Sequence, residues 1–127
     1  MIAVDTSALM AILLHEETAT ACADCLASDQ RLVMSAATLC EALIVAAGRN
    51  LGPEMGQMVS GLGIEIVAVS EDFARRVAES YALWGKGVHP ASLNFGDCFA
   101  YQLAKDNMCP LLYVGNDFTR TDIASAI

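Results

Sequence analysis

The stretch Met1-Ile2-Ala3-Val4-Asp5-Thr6-Ser7-Ala8-Leu9 decides the fold of this chain. A short apolar run ends on an acid, and a helical pattern begins directly behind it, which is typical of a buried strand that leads into a helix. Asp5, Thr6 or Ser7 can cap that helix. A lone carboxylate next to a core is costly unless it is paired, hydrogen-bonded or bound to a metal ion. Helix capping and metal binding are therefore both open interpretations of Asp5.

The same succession of a short apolar strand and a helix recurs along the 127 residues. Apolar runs predict strands at 2–4, 32–35, 64–69 and 111–114. Helical patterns occupy residues 7–14, 17–27, 38–48, 53–62, 70–84 and 97–106, with short helical pieces after residue 116. Glycines and a proline predict a loop at 85–96. Alternating strands and helices indicate the α/β class, with a parallel sheet covered by helices, and the length predicts a single domain, 1–127.

Four isolated acids stand where such a fold normally avoids charge: Asp5, Glu41, Asp97 and Asp117. Asp5 and Asp117 lie at or just past the carboxyl ends of predicted strands. Asp97 opens a helix, and Glu41 lies about one turn into the helix that follows the second strand. Ligands of parallel sheets bind outside the carboxyl ends of the strands. We therefore expect the four carboxylates to meet at one edge of the sheet.

Each acid also has an ordinary structural explanation. Asp97 fits a first-turn acid that the helix dipole favours, and Asp117 fits a turn residue. Asp122, after Thr121, is most simply a cap or a solvated acid. Glu41 is the hardest to explain in this way, because the helix at 38–48 is apolar nearly all round and is expected to be buried. An ion pair with a distant arginine or a protonated carboxyl group remain the structural alternatives for Glu41.

A site made of carboxylate oxygens, without cysteine or paired histidine ligands, favours Mg²⁺ or Mn²⁺ over zinc. Such ions usually keep several waters and accept further ligands from a substrate phosphate. One or two of them can lower the pKa of a bound water and stabilise the charge that develops on phosphate. The acids therefore indicate phosphodiester hydrolysis by a metal-activated water.

The composition limits the other possibilities. A formal net charge of −8 argues against broad, nonspecific nucleic-acid binding, so any nucleic-acid site must be local and centred on the metal. Five scattered cysteines are typical of reduced thiols in an intracellular protein. No apolar run reaches the roughly 18 residues that span a membrane. The first residues lack a basic region and include Asp5, so we expect no signal peptide. We expect a cytoplasmic protein.

The same residues resemble a known family. The blocks that carry the likeness are Met1–Leu9, Ser35-Ala36-Ala37-Thr38-Leu39-Cys40-Glu41-Ala42, Asn94-Phe95-Gly96-Asp97-Cys98-Phe99-Ala100-Tyr101 and Gly115-Asn116-Asp117-Phe118-Thr119-Arg120-Thr121-Asp122-Ile123. In this order they are similar to the successive motifs of PIN-domain ribonucleases, in particular the VapC toxins of type II toxin–antitoxin systems. The likeness runs through nearly the whole chain.

The resemblance implies a three-layer α/β/α sandwich with four to five parallel strands, endonucleolytic cleavage of RNA, a homodimer and inhibition by a VapB-like antitoxin. It also implies that Asp5 and Asp97 are the principal ligands of Mg²⁺ or Mn²⁺, and that Glu41 and Asp117 complete the acidic quartet. Thr6 would support the site through its hydroxyl group. Asn116 and Asp122 adjoin the fourth position, so Asp122 is the alternative to Asp117. A closing edge strand is expected to be absent or minimal.

Three further residues are candidates for contacts with the RNA phosphates, namely Lys86, His89 and Arg120. Lys86 and His89 lie in the glycine-rich loop before Asp97, where a solvated loop is the equal alternative. A helical stripe of Met55, Met58, Val59 and Leu62 is more often core, although methionine-rich faces also serve as dimer or antitoxin surfaces.

Other classes fit the residues less well. A receiver-like signalling module also gathers acids around Mg²⁺, but it needs a lysine at the end of a late strand, and residues 111–116 contain none. A haloacid-dehalogenase-type phosphatase needs a second aspartate two residues after the first, where this chain has Ser7. A non-catalytic interaction domain has no use for four acids that would only destabilise it without metal.

Overall fold

Four parallel strands form one sheet in the computed structural model, which describes residues 1–127. In chain order the strands are β1 (Ile2–Val4), β2 (Leu32–Ser35), β3 (Glu65–Val67) and β4 (Leu111–Leu112). Their order in the sheet is β3-β2-β1-β4, and every pairing is parallel. The chain leaves β1 toward β2 on one side and returns on the other side with β4, so the order reverses beside β1.

Six helices cover the two faces of this sheet. They are α1 (Thr6–Leu13), α2 (Ala19–Leu26), α3 (Ala36–Ala47), α4 (Gly52–Gly61), α5 (Glu71–Trp84) and α6 (Phe95–Asp106). Alternate residues of β1 divide between the two cores, because successive side chains of a strand point to opposite faces. Ile2 and Val4 pack in the core with α1 to α4, whereas Ala3 packs in the core with α5 and α6. The predicted α/β class and three-layer sandwich are therefore confirmed.

The structure differs from the sequence prediction at the edges of the fold. β3 is shorter than predicted, and Glu65 and Ile66 are exposed because β3 is an edge strand rather than a buried one. The residues after 116 form turns instead of helical pieces. There, Ser125 makes a single parallel bridge to Leu111, so the expected closing strand is reduced to one residue pair.

The apolar faces of α3 and α4 differ in how well the sequence pattern predicts their burial. α3 was expected to be buried all round, but Ile44 is 66% exposed and Leu43 and Val45 are also exposed. Conversely, Met55 and Val59 of α4 are buried in the core beside the sheet, so this stripe is not a free docking surface. None of the six helices combines the length and the apolar surface that a membrane crossing requires.

Candidate active site

The four predicted acids reach the same edge of the sheet by different routes. Asp5 follows β1 directly, and Glu41 lies in α3, which begins where β2 ends. Asp97 lies in the first turn of α6, and Asp117 follows β4. The edge lies beside β1 and β4, where the strand order reverses, and this is where parallel sheets bind ligands. We call these four carboxylates the acidic rim.

Asp5 is buried, with only 5% of its surface exposed. The Ser7 N–H and the Ser7 hydroxyl both donate to Asp5 Oδ2, at 3.1 and 2.6 Å, so Asp5 caps α1 as one of the two interpretations required. Nevertheless burial, with smaller contributions from the charges of Glu41 and Asp117, raises the pKa of Asp5 to about 6. The cap therefore does not compensate for the lost hydration of this carboxylate.

Asp97 occupies a similar position at the start of α6. Its Oδ2 atom accepts the Asn94 N–H at 3.0 Å, and the Asn94 side chain accepts the Asp97 N–H at 2.8 Å, which together form a capping box. Burial raises the pKa of Asp97 to about 7, and the charges of Asp5, Asp117 and Glu41 contribute further. The charge of one buried aspartate, Asp5, thus raises the pKa of the other, Asp97, and no hydrogen bond reaches Oδ1 of either one.

Glu41 extends from α3 toward α6 and α1. The Thr6 hydroxyl donates to Glu41 Oε1 at 2.6 Å, which fixes one oxygen of this carboxylate. The other oxygen, Oε2, lies against Gly96, where a Cβ atom would overlap it. Glycine at this position therefore lets the first turn of α6 approach Glu41. No Lys or Arg forms an ion pair with Glu41, so the predicted structural alternative of a distant arginine partner is not what the structure contains.

Asp117 and Asp122 have different surroundings in the structure. Asp117 and the neighbouring Asn116 are exposed, and the charge of Asp117 acts on both Asp5 and Asp97. Asp122 instead accepts hydrogen bonds from the Tyr101 hydroxyl at 2.6 Å and from Lys105 Nζ at 2.9 Å, and these partners lower its pKa. Asp122 is therefore occupied by contacts of its own, whereas Asp117 is the acid whose charge acts on Asp5 and Asp97.

The donor set of the rim fits a hard divalent cation. All candidate ligands are carboxylate oxygens, and Asp5 and Asp97 each keep an oxygen without a hydrogen bond. The side chains are not drawn together into a closed cage of three or more ligands. Mg²⁺ does not need such a cage, because it usually binds one or two carboxylates and retains several waters. The residues that would hold it are Asp5 and Asp97, and the charges of Glu41 and Asp117 act on this position.

The residues predicted to contact phosphate differ in their exposure and in the contacts they already make within the protein. Lys86 and Arg120 are exposed and form no ion pair. His89 packs edge-on against Trp84, with ring centroids 4.7 Å apart, and its Nδ1 atom accepts the Ala91 N–H. His89 thus holds the loop in place through one face and one nitrogen. Arg49, behind α3, is a third exposed cation without an ion pair that the sequence did not single out.

Two supporting residues were not assigned to the site from the sequence. Ser7 bonds Asp5 and also accepts the Val114 N–H at 3.0 Å, which ties the end of β1 to the segment after β4. Asn94 forms the capping box with Asp97. The spacing of Asn94 and Asp97 matches the capping-box signal, which would have identified the pair. The Ser7 contact depends on a residue far along the chain, so no local pattern predicts it.

Comparison with known proteins identifies relatives along nearly the whole chain. The PIN domain family model matches residues 2–124. Ribonuclease VapC30 of Mycobacterium tuberculosis is 41% identical over 125 residues, which cover 96% of this chain and 95% of the relative. Ribonuclease VapC28 of the same species is 40% identical over 128 residues, with 98% and 96% covered.

Solved structures share the fold at much lower identity. The sarcin–ricin-loop-cleaving toxin VapC20 of Mycobacterium tuberculosis superposes with a TM-score of 0.77 at 15% identity, covering 98% of this chain and 97% of that one. A toxin–antitoxin complex from Klebsiella pneumoniae gives 0.75 at 16% identity, with 100% and 98% covered. The matched family model and the identity to the VapC ribonucleases establish that this chain belongs to the PIN-domain family, among its VapC ribonucleases.

Proposed function

We propose that this chain is a toxin that cleaves RNA internally with the help of Mg²⁺ or Mn²⁺ held at the acidic rim. The observation that carries the proposal is the burial of two aspartates, Asp5 and Asp97, neither of which forms an ion pair, with the charge of Asp5 acting on Asp97. Two such carboxylates destabilise the fold unless a cation binds between them. The names of the VapC ribonuclease relatives support RNA as the substrate.

In this proposal the residues of the rim divide the work. Asp5 and Asp97 bind the ion directly through the oxygens that the capping contacts leave free. Glu41, which Thr6 holds by one oxygen, orients a water at the ion, and the exposed Asp117 completes the negative field. When bound, a divalent ion supplies the Lewis-acid chemistry that activates water and stabilises negative charge on a phosphate.

The substrate is expected to approach the rim through few basic contacts. Lys86 and Arg120 are the proposed phosphate contacts, and His89 contributes only through the ring nitrogen that the loop leaves free. A protein with net charge −8 gains little from long-range attraction to RNA. We therefore propose that RNA binding depends strongly on a divalent ion, which Asp5 and Asp97 would hold and whose positive charge would offset the negative charge of the acidic rim.

We further propose that the protein acts as a homodimer and that a VapB-like antitoxin inhibits it. The relative from Klebsiella pneumoniae is described as a toxin–antitoxin complex. The acidic rim offers an antitoxin a clear target, because a basic side chain inserted between Asp5 and Asp97 would take the position of the metal ion. A buried carboxylate without a counter-charge is costly, so a basic side chain that pairs with Asp5 and Asp97 would relieve that cost.

The test is cleavage of RNA by the purified protein with Mg²⁺ or Mn²⁺, with and without a chelator, beside the variants Asp5→Asn and Asp97→Asn. We expect cleavage only by the unaltered protein with metal. Glu54→Gln, which changes an exposed acid in α4 far from the rim, is the matched control and should cleave normally. Equal cleavage with and without chelator would refute the metal dependence, and equal cleavage by the variants would refute the role of the rim.

A further inference from the structure

Gly96 lies where the first turn of α6 meets the side chain of Glu41. A Cβ atom on Gly96 would overlap Oε2 of Glu41 and would lie 2.9 Å from its Cδ atom. The φ angle of Gly96 is not positive, so the backbone conformation here is open to other residues. Gly56 and Gly61 of α4, by contrast, have open space around the same atom. Gly96 is therefore required for the space it leaves to Glu41, and not for its backbone freedom.

The carboxylate of Glu41 has no easy way to move aside. The end of a glutamate side chain normally swings away from a new neighbour, but Oε1 of Glu41 accepts the Thr6 hydroxyl at 2.6 Å. On another side it borders a hollow of about 280 Å³ with a largely apolar lining that includes Ile44, where a charge would lose hydration. The charge of Glu41 already acts on Asp5 and Asp97, so a shift toward them brings like charges closer.

The first turn of α6 is held as firmly as Glu41. The Asn94 side chain accepts the Asp97 N–H at 2.8 Å, and Asp97 accepts the Asn94 N–H at 3.0 Å. These two hydrogen bonds enclose Gly96. Because Gly96 and Asp97 are adjacent, a displacement of the turn would carry Asp97 with it or break the capping box.

We propose that Gly96 is a positioning residue that sets the spacing between the carboxylates of Glu41 and Asp97. By lacking a side chain, it lets the two acids lie close while Thr6 holds one of them and Asn94 holds the other. A larger residue would displace one of the two acids from the rim. A misplacement of about 1 Å costs roughly 100-fold in rate when a reaction depends on such geometry. The catalytic part of this inference rests on the proposed function, whereas the steric part does not.

The first test is the kinetics of RNA cleavage by Gly96→Ala with Mn²⁺ in excess. We expect kcat to fall at least about 10-fold, as for other residues that orient metal-site ligands. The KM for RNA should stay within about 3-fold, because Gly96 acts on the acids and not on the substrate. Gly56→Ala is the matched control, since its added Cβ atom meets nothing within 4 Å, and it should cleave normally.

The dependence on Glu41 is tested in a Glu41→Asp background, which shortens the side chain by one methylene and makes room for a Cβ atom at position 96. Adding Gly96→Ala to that variant should lower kcat by less than about 3-fold, because two residues that act through one contact are not additive. A fall in kcat of the same size in both backgrounds would overturn the proposal. A raised KM with unchanged kcat would show that Gly96 makes room for RNA, and would overturn it as well.

The second test is urea unfolding in a chelator, which needs neither metal nor RNA. Gly96→Ala should lower the urea midpoint of the otherwise unaltered protein. In a Glu41→Ala background the same change should leave the midpoint unchanged or raise it, because alanine is favoured over glycine in a helix once the overlap is gone. Equal changes of the midpoint in both backgrounds would refute the steric coupling. If the unaltered protein cleaved no RNA, the proposed function would fail, and these midpoints would still decide whether Gly96 sets the position of Glu41.

Discussion

Asp97 and Asp122 both contact α6, but the protein treats the two carboxylates in opposite ways. Asp97 lies in the first turn of the helix, and burial raises its pKa to about 7. Asp122 lies against the side of the helix, where Tyr101 and Lys105 supply hydrogen bonds and lower its pKa. Asp122 thus forms an ion pair with Lys105, whereas Asp97 forms no ion pair. The difference shows which carboxylate is paired within the protein and which one is buried without a counter-charge.

The strongest test of this difference between a paired and an unpaired acid is a pair of matched substitutions, Asp117→Asn and Asp122→Asn. Asp117 is exposed and acts on the rim, so its loss should lower the rate of RNA cleavage at least about 10-fold, the lower end of what changes around metal sites cost. Asp122 has its own partners, so Asp122→Asn should leave the cleavage rate unchanged and lower stability by up to about 1 kcal/mol.

Cleavage rates and urea midpoints of both variants, measured with Mn²⁺ in excess, provide the check. If Asp122→Asn lost more activity than Asp117→Asn, the assignment of the fourth acid would be wrong. The two substitutions are equally conservative, so a difference between them reports position rather than chemistry.

The sequence predicts this rim better than it predicts the surface of the molecule. The apolar run of β1 and the helical pattern of α1 meet at Asp5, so the residues next to Asp5 are enough to predict its position at the end of the strand. The residues of α3 carry an equally clear helical pattern, yet Ile44 is exposed instead of buried. Apolar periodicity indicates that a helix face needs covering, but it does not indicate whether the same chain or another one covers it.

Some contacts lie outside the reach of local patterns. Short helical pieces were predicted after residue 116, but the chain forms turns there. Phe118 is buried in the core within these turns. The difference between Asp117 and Asp122 depends on Tyr101 and Lys105, which are distant in sequence. Such tertiary contacts override local propensity, and only the folded arrangement reveals them.

A second way to sharpen the comparison is the pH dependence of stability in the metal-free protein. The folded-state pKa values of Asp5 and Asp97, about 6 and about 7, exceed the unfolded value of 3.8. The folded protein therefore holds more protons than the unfolded chain between about pH 4 and pH 7, and stability falls as the pH rises through that window. Each pKa unit corresponds to about 1.4 kcal/mol, so the loss amounts to several kcal/mol.

Urea unfolding in a chelator, compared with the Asp5→Asn, Asp97→Asn double variant, measures this effect. The variant should become more stable than the unaltered protein as the pH rises, because both proteins share every other titrating group. Mn²⁺ at pH 8 should restore stability to the unaltered protein alone, by about 2.7 kcal/mol at a hundred times its dissociation constant. If stability depended on pH in the same way in the two proteins, the conclusion that Asp5 and Asp97 are buried without a counter-charge would be refuted.

The smallest expected effect concerns the partners of Asp122. Tyr101→Phe removes the hydroxyl group that donates to Asp122 and accepts the Trp84 N–H at 2.9 Å. We expect a loss of about 1 kcal/mol in the free energy of unfolding and an unchanged cleavage rate. Tyr113→Phe is the control, because the Tyr113 hydroxyl makes no hydrogen bond within the protein. A large loss of activity in Tyr101→Phe alone would show that the two acids are not independent.

The Ser7 hydroxyl joins Asp5 to Val114, which is 107 residues further along the chain. β4 and Asp117 lie on the same late segment, and β4 completes the sheet by pairing with β1. A nascent chain therefore cannot assemble the acidic rim until residues 111–117 have left the ribosome. The first and last strands must meet before the rim exists, so the rim is among the last parts of the fold to assemble during synthesis.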